Sequence, residues 1–140
     1  MHVGSRLVGL PALSDLAGKL LRETGPGTVV WLEGELGSGK TTFVSLVVAA
    51  AGGGRATSPT FSLVHTYPTP QGSIVHSDCY RLRQPDEAID LGLLETLTDV
   101  RMLLIEWPDR GRGFVPDCDV RIVFEHDNDP DARRISVERC

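Results

Sequence analysis

The segment GELGSGKT, residues 34–41, has the residue types and spacing of a phosphate-binding loop. It matches the pattern G-x-x-x-x-G-K-[ST] at every fixed position. Its glycines let the backbone curl so that successive N–H groups point at a phosphate. Lys40 would reach the β- and γ-phosphate oxygens as a point charge, and Thr41 would offer its hydroxyl to Mg²⁺. A glycine-rich turn with an idle lysine is the alternative to this nucleotide-binding interpretation.

The segments on either side of the loop have the form that such a loop requires. Residues 28–32 are a short, almost wholly apolar run, which predicts a strand buried on both faces of a parallel sheet. Residues 40–51 have helical length and composition, and three glycines follow them. A helix that begins near Lys40 would add its positive end to the anion site. The strand–loop–helix order therefore favours a nucleotide site over an idle turn.

Two carboxylates stand at the ends of strand-like runs later in the chain. Asp78 closes residues 73–78, and Glu106 follows residues 100–105. A site that hydrolyses a nucleotide needs a carboxylate near the metal and a group that holds the attacking water. In a parallel sheet, the carboxyl ends of the strands lie on the same edge as the phosphate loop. Both residues are therefore candidates for these roles, and the alternative is that each is a solvated strand end.

The remaining patterns indicate an α/β fold. We expect a P-loop NTPase-like mixed, mainly parallel sheet flanked by helices, with a C-terminal antiparallel hairpin. Helices are predicted from apolar residues three and four apart or from an acidic first turn, and strands from alternation. These further elements are helices over 10–23, capped by Ser14, and 85–94, and strands over 61–67, 119–125 and 134–138.

Composition fits one globular domain and argues against direct nucleic-acid binding. The chain has 140 residues, 41% of them hydrophobic and 24% charged, so a single domain over residues 1–140 is expected. The formal net charge is -5, whereas nucleic-acid binders cluster Lys and Arg on one surface. Any link to RNA would then pass through a partner.

Cysteine spacing and the first residues predict the compartment. Cys79, Cys118 and Cys140 are widely spaced without a CxxC pair, which favours buried or idle thiols over a disulfide framework or a zinc site. Residues 1–15 lack a long apolar run, so neither a signal peptide nor a membrane span is predicted. A cytoplasmic protein is therefore expected.

Four longer motifs resemble one family. GELGSGKTTF, TSPTFSLVHTY, HSDCYRL and LIEWPDR, in this order and at this spacing, are similar to the TsaE (YjeE) family, the bacterial P-loop ATPases of tRNA threonylcarbamoyladenosine biosynthesis. The resemblance covers nearly the whole chain and implies ATP or ADP and Mg²⁺ as cofactors. The nucleotide-binding residues that it implies are Glu35, Leu36, Gly37, Ser38, Gly39, Lys40, Thr41 and Thr42. The implied catalytic residues are Lys40, Thr60, Asp78 and Glu106, and the implied metal ligands are Thr41, Asp78 and Glu106.

The resemblance also implies roles outside the loop. Thr60, in the switch-like SPTF segment, would face the γ-phosphate, with ordinary turn chemistry as the alternative. Glu106 would act on the metal or on the attacking water. Trp107 would be either a partner-facing residue or a core aromatic, and His76 would pack or pair rather than react. Thr66 replaces a glutamate of many family members, which leaves the role of that strand's far end open.

The implied function is that of an accessory ATPase that does not itself modify tRNA. It would dock on the TsaB–TsaD complex and reset that complex by ATP hydrolysis, with tRNA as an indirect partner and no membrane involved. One alternative is a nucleotide-gated regulatory module without significant turnover. The other is a small-metabolite P-loop kinase, which typically needs an arginine-rich lid. Between the loop and Glu106 the chain offers only Arg55, Arg81, Arg83 and Arg101.

Overall fold

The protein is built on one mixed β-sheet. A computed structural model describes residues 2–54 and 63–140. In the described ranges the sheet has seven strands in the order β1-β7-β6-β2-β5-β4-β3. The four central strands, β6, β2, β5 and β4, are parallel, and β7, β1 and β3 are added antiparallel at the two sides. The strands are β1 (His2–Val8), β2 (Thr28–Gly34), β3 (Val64–Tyr67), β4 (Ile74–Asp78), β5 (Met102–Glu106), β6 (Val120–His126) and β7 (Ala132–Arg139).

Two longer helices lie beside the phosphate loop, and short helical turns make up the rest. The helices are α1 (Gly9–Glu23), α2 (Lys40–Ala50) and α3 (Leu93–Thr96), with 3-10 turns over Pro85–Leu91, Leu97–Asp99 and Pro108–Gly111. The helix predicted over residues 85–94 is therefore a 3-10 turn and a single α turn, because Gly92 at φ +66° interrupts them. The predicted cap Ser14 is wrong, since α1 already begins at Gly9.

Apolar side chains cover both faces of the sheet. One cluster fills the space between the sheet and helices α1 and α2, and includes Leu104 and Ile122. The second cluster, on the other face, includes Leu103 and Ile105 together with Leu93 of α3. Every residue of β5 is buried, as expected for a central strand of a parallel sheet covered on both sides. The carboxyl edge of the sheet is therefore a rigid support for the loops that follow the strands.

The edge of the sheet opposite the phosphate loop is tied by a buried arginine. Arg101, just before β5, donates hydrogen bonds to the carbonyl oxygens of Leu21, Thr24 and Gly25, where α1 ends. These carbonyls have no partner within the helix, so the guanidinium satisfies them. Burial lowers the pKa of Arg101. Of the arginines considered for a kinase lid, Arg101 therefore has a structural position far from the loop.

A disulfide closes the β6–β7 hairpin, which corrects the prediction of three idle thiols. Cys118 and Cys140 are bonded, with their Cα atoms 5.8 Å apart. Val120 faces Arg139 in the antiparallel register, so the residues just outside the pair are brought together. Cys79 is buried and free as predicted, and burial raises its pKa to about 11. The two cysteines are 22 residues apart in the sequence, and nothing in their spacing indicated that they pair.

Strand β1 was not predicted at all. Its sequence, HVGSRLV, lacks the regular alternation of apolar and polar residues that is typical of a half-buried strand. Its partner β7 lies at the other end of the described chain. No helix in the described ranges is long and apolar enough to cross a membrane.

Candidate functional site

The phosphate loop connects the carboxyl end of β2 to the first residue of α2. Gly34, Gly37 and Gly39 have φ values of +147°, +75° and +108°, a region that side-chain-bearing residues rarely adopt. A Cβ on Gly34 would lie 2.4 Å from the carbonyl oxygen of Phe124 in β6. Gly39 precedes α2 and gives it no side-chain cap, so the first N–H groups of the helix are left for an anion. The loop and the uncapped start of α2 thus form a cradle that fits a phosphate group.

The lysine of the loop is folded back onto its own backbone. Lys40 is 4% exposed, and its Nζ contacts the carbonyl oxygen of Gly34 and lies 3.4 Å from that of Glu35. The same nitrogen is 4.1 Å from the ring centroid of Trp107. Burial lowers the pKa of Lys40, while the carboxylates of Glu106 and Asp78 oppose that shift. The ammonium group of Lys40 is therefore bound by two carbonyl oxygens and the face of an aromatic ring. A phosphate would have to take the place of these contacts in order to bind the lysine.

Glu106 is the centre of a buried polar cluster beside the lysine. Its side chain is almost fully buried, and Oε2 accepts a hydrogen bond from Thr41 Oγ1 at 3.0 Å. His76 Nε2 lies 2.5 Å from the same oxygen. Asp78 faces Glu106 in the parallel register of β4 and β5, and its Oδ1 accepts the backbone N–H of Tyr80. The two strand-end carboxylates are thus neighbours on one edge of the sheet, as the sequence predicted.

The structure brings most of the predicted site residues into one cleft of about 230 Å³, called here the site cleft. Glu35 is exposed on the loop outside this lining, and Ser38 is buried beneath it, with a hydroxyl that has no hydrogen-bond partner in the described part of the chain. Thr60 and the rest of SPTF lie outside the described residues. The site cleft is lined by Leu36, Gly37, Gly39, Lys40, Thr41, Thr42, Asp78, Glu106, Trp107 and Arg133.

The donor set fits a magnesium ion that is shared with a phosphate. Within residues 2–54 and 63–140, no three His, Cys, Asp or Glu side chains form a group that would hold a metal by themselves. Mg²⁺ uses one or two carboxylates, keeps several waters and takes phosphate oxygens as further ligands. Thr41, Asp78 and Glu106 offer a hydroxyl and two carboxylates next to the phosphate cradle. These residues are therefore suited to a Mg²⁺ ion that also takes ligands from a nucleotide, and not to one that is bound by protein ligands alone.

Three residues of the site were missed or left open by the sequence. His76 pairs with Glu106. The sequence indicated this only by placing His76 two residues before Asp78, and therefore on the same face of the strand. Trp107 is half-buried at φ +56°, packs against the second apolar cluster and lies next to Tyr80 and Lys40, so it is in part a core aromatic, and a partner-facing role stays a prediction. Arg133 of β7 donates from Nε to the carbonyl oxygen of Ser38 at 2.9 Å. Nothing in its sequence context marked this arginine.

Comparison with known proteins identifies the family. The profile described as "Threonylcarbamoyl adenosine biosynthesis protein TsaE" matches residues 10–135, which include the phosphate loop and both carboxylates. The chain belongs to the TsaE family. Similar proteins that carry the name "tRNA threonylcarbamoyladenosine biosynthesis protein TsaE" are found in Haemophilus influenzae and Bacillus subtilis. The first is 34% identical over 78% of this chain and 68% of the relative, and the second 37% identical over 79% and 69%.

The TsaE assignment agrees with the fold. The crystal structure of Bacillus subtilis YdiB superposes with a TM-score of 0.79 at 27% identity, covering 99% of this chain and 86% of that one. A further TsaE relative, from Rickettsia bellii, is 41% identical over 65% of this chain and 64% of its own length. The family and the mixed sheet flanked by helices, with its antiparallel hairpin, are thereby confirmed.

Proposed function

We propose that residues 1–140 form a single Mg²⁺-dependent ATPase domain that serves tRNA threonylcarbamoyladenosine (adenosine-37) modification by acting on the TsaB–TsaD complex. The observation that carries the proposal is the contact of 3.0 Å between Thr41 Oγ1 and Glu106 Oε2 directly beside Lys40. The hydroxyl that would bind the metal, a buried carboxylate and the lysine that would bind the phosphates thus lie side by side at the carboxyl edge of the sheet. The pathway is supported by the names of the family and of the relatives.

The loop and Lys40 would bind the phosphates. The positive φ values of Gly34, Gly37 and Gly39 already give the loop the curled form in which backbone N–H groups can point at a phosphate. Lys40 would exchange the carbonyl oxygens of Gly34 and Glu35 for the β- and γ-phosphate oxygens. Bound Mg²⁺ would supply charge neutralisation of the phosphates.

Asp78 and Glu106 would have different roles at the metal and at the attacking water. Asp78 is partly exposed in the site cleft and is suited to a metal-bound water or the metal itself. Glu106 is held from two sides by Thr41 and His76, so its carboxylate has a fixed direction. A carboxylate of fixed direction is suited to orient the attacking water or to hold the threonine hydroxyl at the metal. Thr60 would contact the γ-phosphate, as the family resemblance implies.

Partner stimulation is part of the proposal. Arg133 lines the site cleft, but its Nε is bound to the Ser38 carbonyl and its Nη1 to those of Pro130 and Ala132. In this arrangement it is a support for the loop rather than a free charge for the transition state. Hydrolysis by the chain alone would therefore be slow and would rise when TsaB and TsaD are bound. The acidic composition agrees with an indirect link to tRNA.

A second candidate is a nucleotide-gated module without significant turnover. The observation that favours it is the engagement of Glu106, whose carboxylate is already used by Thr41 and His76. If that engagement persists with nucleotide bound, the carboxylate would hold Thr41 rather than orient water, and ATP would only set the affinity for the partners.

Phosphate release from ATP by the purified protein, alone and with TsaB and TsaD, separates the two candidates. Lys40→Ala and Glu106→Gln are expected to lower partner-stimulated release by about 100-fold, as for the loss of a transition-state contact. Lys19→Ala, which removes an exposed lysine on α1, is the matched control and should release phosphate like the wild type.

Two results would contradict the ATPase proposal. Tight ATP binding and partner binding without release under any condition would favour the nucleotide-gated module. Absence of ATP binding by the wild type would overturn both candidates.

A further inference from the structure

Two large apolar side chains are exposed on the short turns that cover one face of the sheet. Ile89, in the 3-10 turn Pro85–Leu91, is 61% exposed, and Leu94, in α3, is 59% exposed. The residues just before them, Ala88 and Leu93, are buried in the second apolar cluster. Ile89 and Leu94 therefore lie on the outer side of two turns whose inner residues pack on the same face of the sheet.

The net charge of the chain is concentrated in the segment that carries these two side chains. Residues 85–99 contain five acidic residues and no lysine, arginine or histidine. The chain has 19 acidic and 14 basic residues in all, so the 14 acidic residues outside this segment balance the 14 basic ones. The exposed side of residues 85–99 is called here the 85–99 surface. Its acidic residues, all of them exposed, are Asp86, Glu87, Asp90, Glu95 and Asp99.

The carboxylates of the 85–99 surface are not paired with basic neighbours. Within the described ranges, no lysine or arginine nitrogen lies within 4.0 Å of any of them. Arg81 and Arg83 precede the segment and are exposed. Arg101 follows it, but its guanidinium is buried and bound to the carbonyl oxygens at the end of α1. The negative potential of this surface is therefore open to a partner.

The 85–99 surface adjoins the turn that follows β5. A Cβ on Gly111 would lie 3.1 Å from the Cβ of Ala88, so the turn Pro108–Gly111 packs closely on the turn that contains Ala88. The strand that leads into Pro108–Gly111 ends at Glu106, which lines the site cleft. A partner on the 85–99 surface would therefore lie beside an element that is directly connected to the site.

The charge indicates which kind of partner fits this surface. Single exposed leucines are ordinary on proteins, so the apolar residues alone would indicate no particular partner. Nucleic-acid phosphates and anionic lipid headgroups would be repelled by the carboxylates. A second copy of the chain would bring like charges together. A protein with an apolar hollow and a rim of lysine and arginine would instead bury Ile89 and Leu94 and complement the charge around them.

We propose that the 85–99 surface is the docking surface for a protein partner whose binding face has an apolar hollow and a basic rim. Ile89 and Leu94 are the apolar anchors, and the surrounding carboxylates steer the partner and fix its orientation. The inference rests on the proposed function, since it takes the TsaB–TsaD complex as that partner.

Removal of the apolar anchors is the first test. A protein with both Ile89→Ser and Leu94→Ser should bind the TsaB–TsaD complex with a Kd about tenfold higher than that of the wild type, as measured by biolayer interferometry with ATP and Mg²⁺. Its Kd for ATP alone should stay unchanged, because neither residue lines the site cleft. The unchanged Kd for ATP would also show that the variant is folded.

A matched pair of charge reversals is the second test. Asp90→Lys and Asp15→Lys change the net charge equally, and both positions are exposed, but Asp15 lies on α1 at the opposite face of the sheet. Asp90→Lys should lower the association rate constant for the TsaB–TsaD complex by about fivefold and make it less sensitive to salt. Asp15→Lys should associate nearly as fast as the wild type.

The outcomes distinguish this inference from the proposed function. Wild-type affinity of the Ile89→Ser and Leu94→Ser protein for TsaB–TsaD overturns the docking surface and leaves the ATPase proposal standing. Equal effects of Asp90→Lys and Asp15→Lys also overturn it, because only the net charge then matters. Self-association of the wild type that Leu94→Ser abolishes would assign the surface to a second copy instead. A wild-type protein that does not bind TsaB–TsaD overturns the proposed function, and the inference with it.

Discussion

At the scale of single residues, the buried carboxylate of Glu106 organises the site. A carboxylate that is 3% exposed is stable only with hydrogen-bond partners, and Thr41 and His76 supply them. Glu106 and Asp78 were predictable, because a carboxylate at the end of an apolar run shows in the sequence. His76 was only partly predictable, since its contact depends on the side-chain direction of a residue on a different strand.

The role of His76 predicts an unequal effect of two histidine substitutions. His76→Leu replaces the imidazole by an apolar side chain of similar bulk and leaves Glu106 with one hydrogen-bond partner fewer. We expect it to lower the free energy of unfolding by about 1–3 kcal/mol, the usual result when a buried polar group loses its partner. Urea denaturation followed by circular dichroism measures this change.

His65 offers the matched control for that experiment. It faces His76 in the register of β3 and β4, and its buried Nδ1 has no hydrogen-bond partner among the described residues. His65→Leu therefore removes no satisfied hydrogen bond at that atom, and should cost clearly less than His76→Leu. Equal losses for the two variants would show that His76 contributes by packing and that Glu106 does not depend on it.

At the scale of elements, the β6–β7 hairpin joins the disulfide to the phosphate loop. Cys118 and Cys140 lie at its open end, and Arg133, near its turn, donates to the Ser38 carbonyl. The hairpin itself was predictable from two alternating runs around a turn-rich segment. Its exact register was not, and both the disulfide and the position of Arg133 depend on that register.

The disulfide predicts a redox dependence of stability. Closing a loop of this size restricts the unfolded chain, and the loss of that restriction on reduction is expected to lower the free energy of unfolding by about 3 kcal/mol. The measurement is urea denaturation with and without a reducing agent. A protein with both Cys118→Ser and Cys140→Ser is the control, and its stability should not change on adding the reductant. Wild-type protein that is equally stable in both conditions would contradict the prediction.

At the scale of the whole molecule, the sheet connects two apolar cores. The central parallel strands were predictable because residues buried on both faces form short, continuous apolar runs. The edge strand β1 was not, because its formation depends on β7, which the local pattern of residues 2–8 does not show. The first cluster contacts α1 and α2, the second covers the opposite face, and both use alternate residues of the same strands.

One sheet shared by two cores predicts a single cooperative unfolding transition. Ile122→Ala, in the first cluster, removes a fully buried side chain and should lower the free energy of unfolding by about 2–5 kcal/mol. Both tryptophans, Trp31 and Trp107, pack against the second cluster, so their fluorescence reports on the opposite face. In a one-domain protein, fluorescence and circular dichroism must shift by the same amount in this variant. A fluorescence transition that keeps its wild-type midpoint while the circular dichroism transition moves would mean that the two faces unfold separately, and a single domain over residues 1–140 would be wrong.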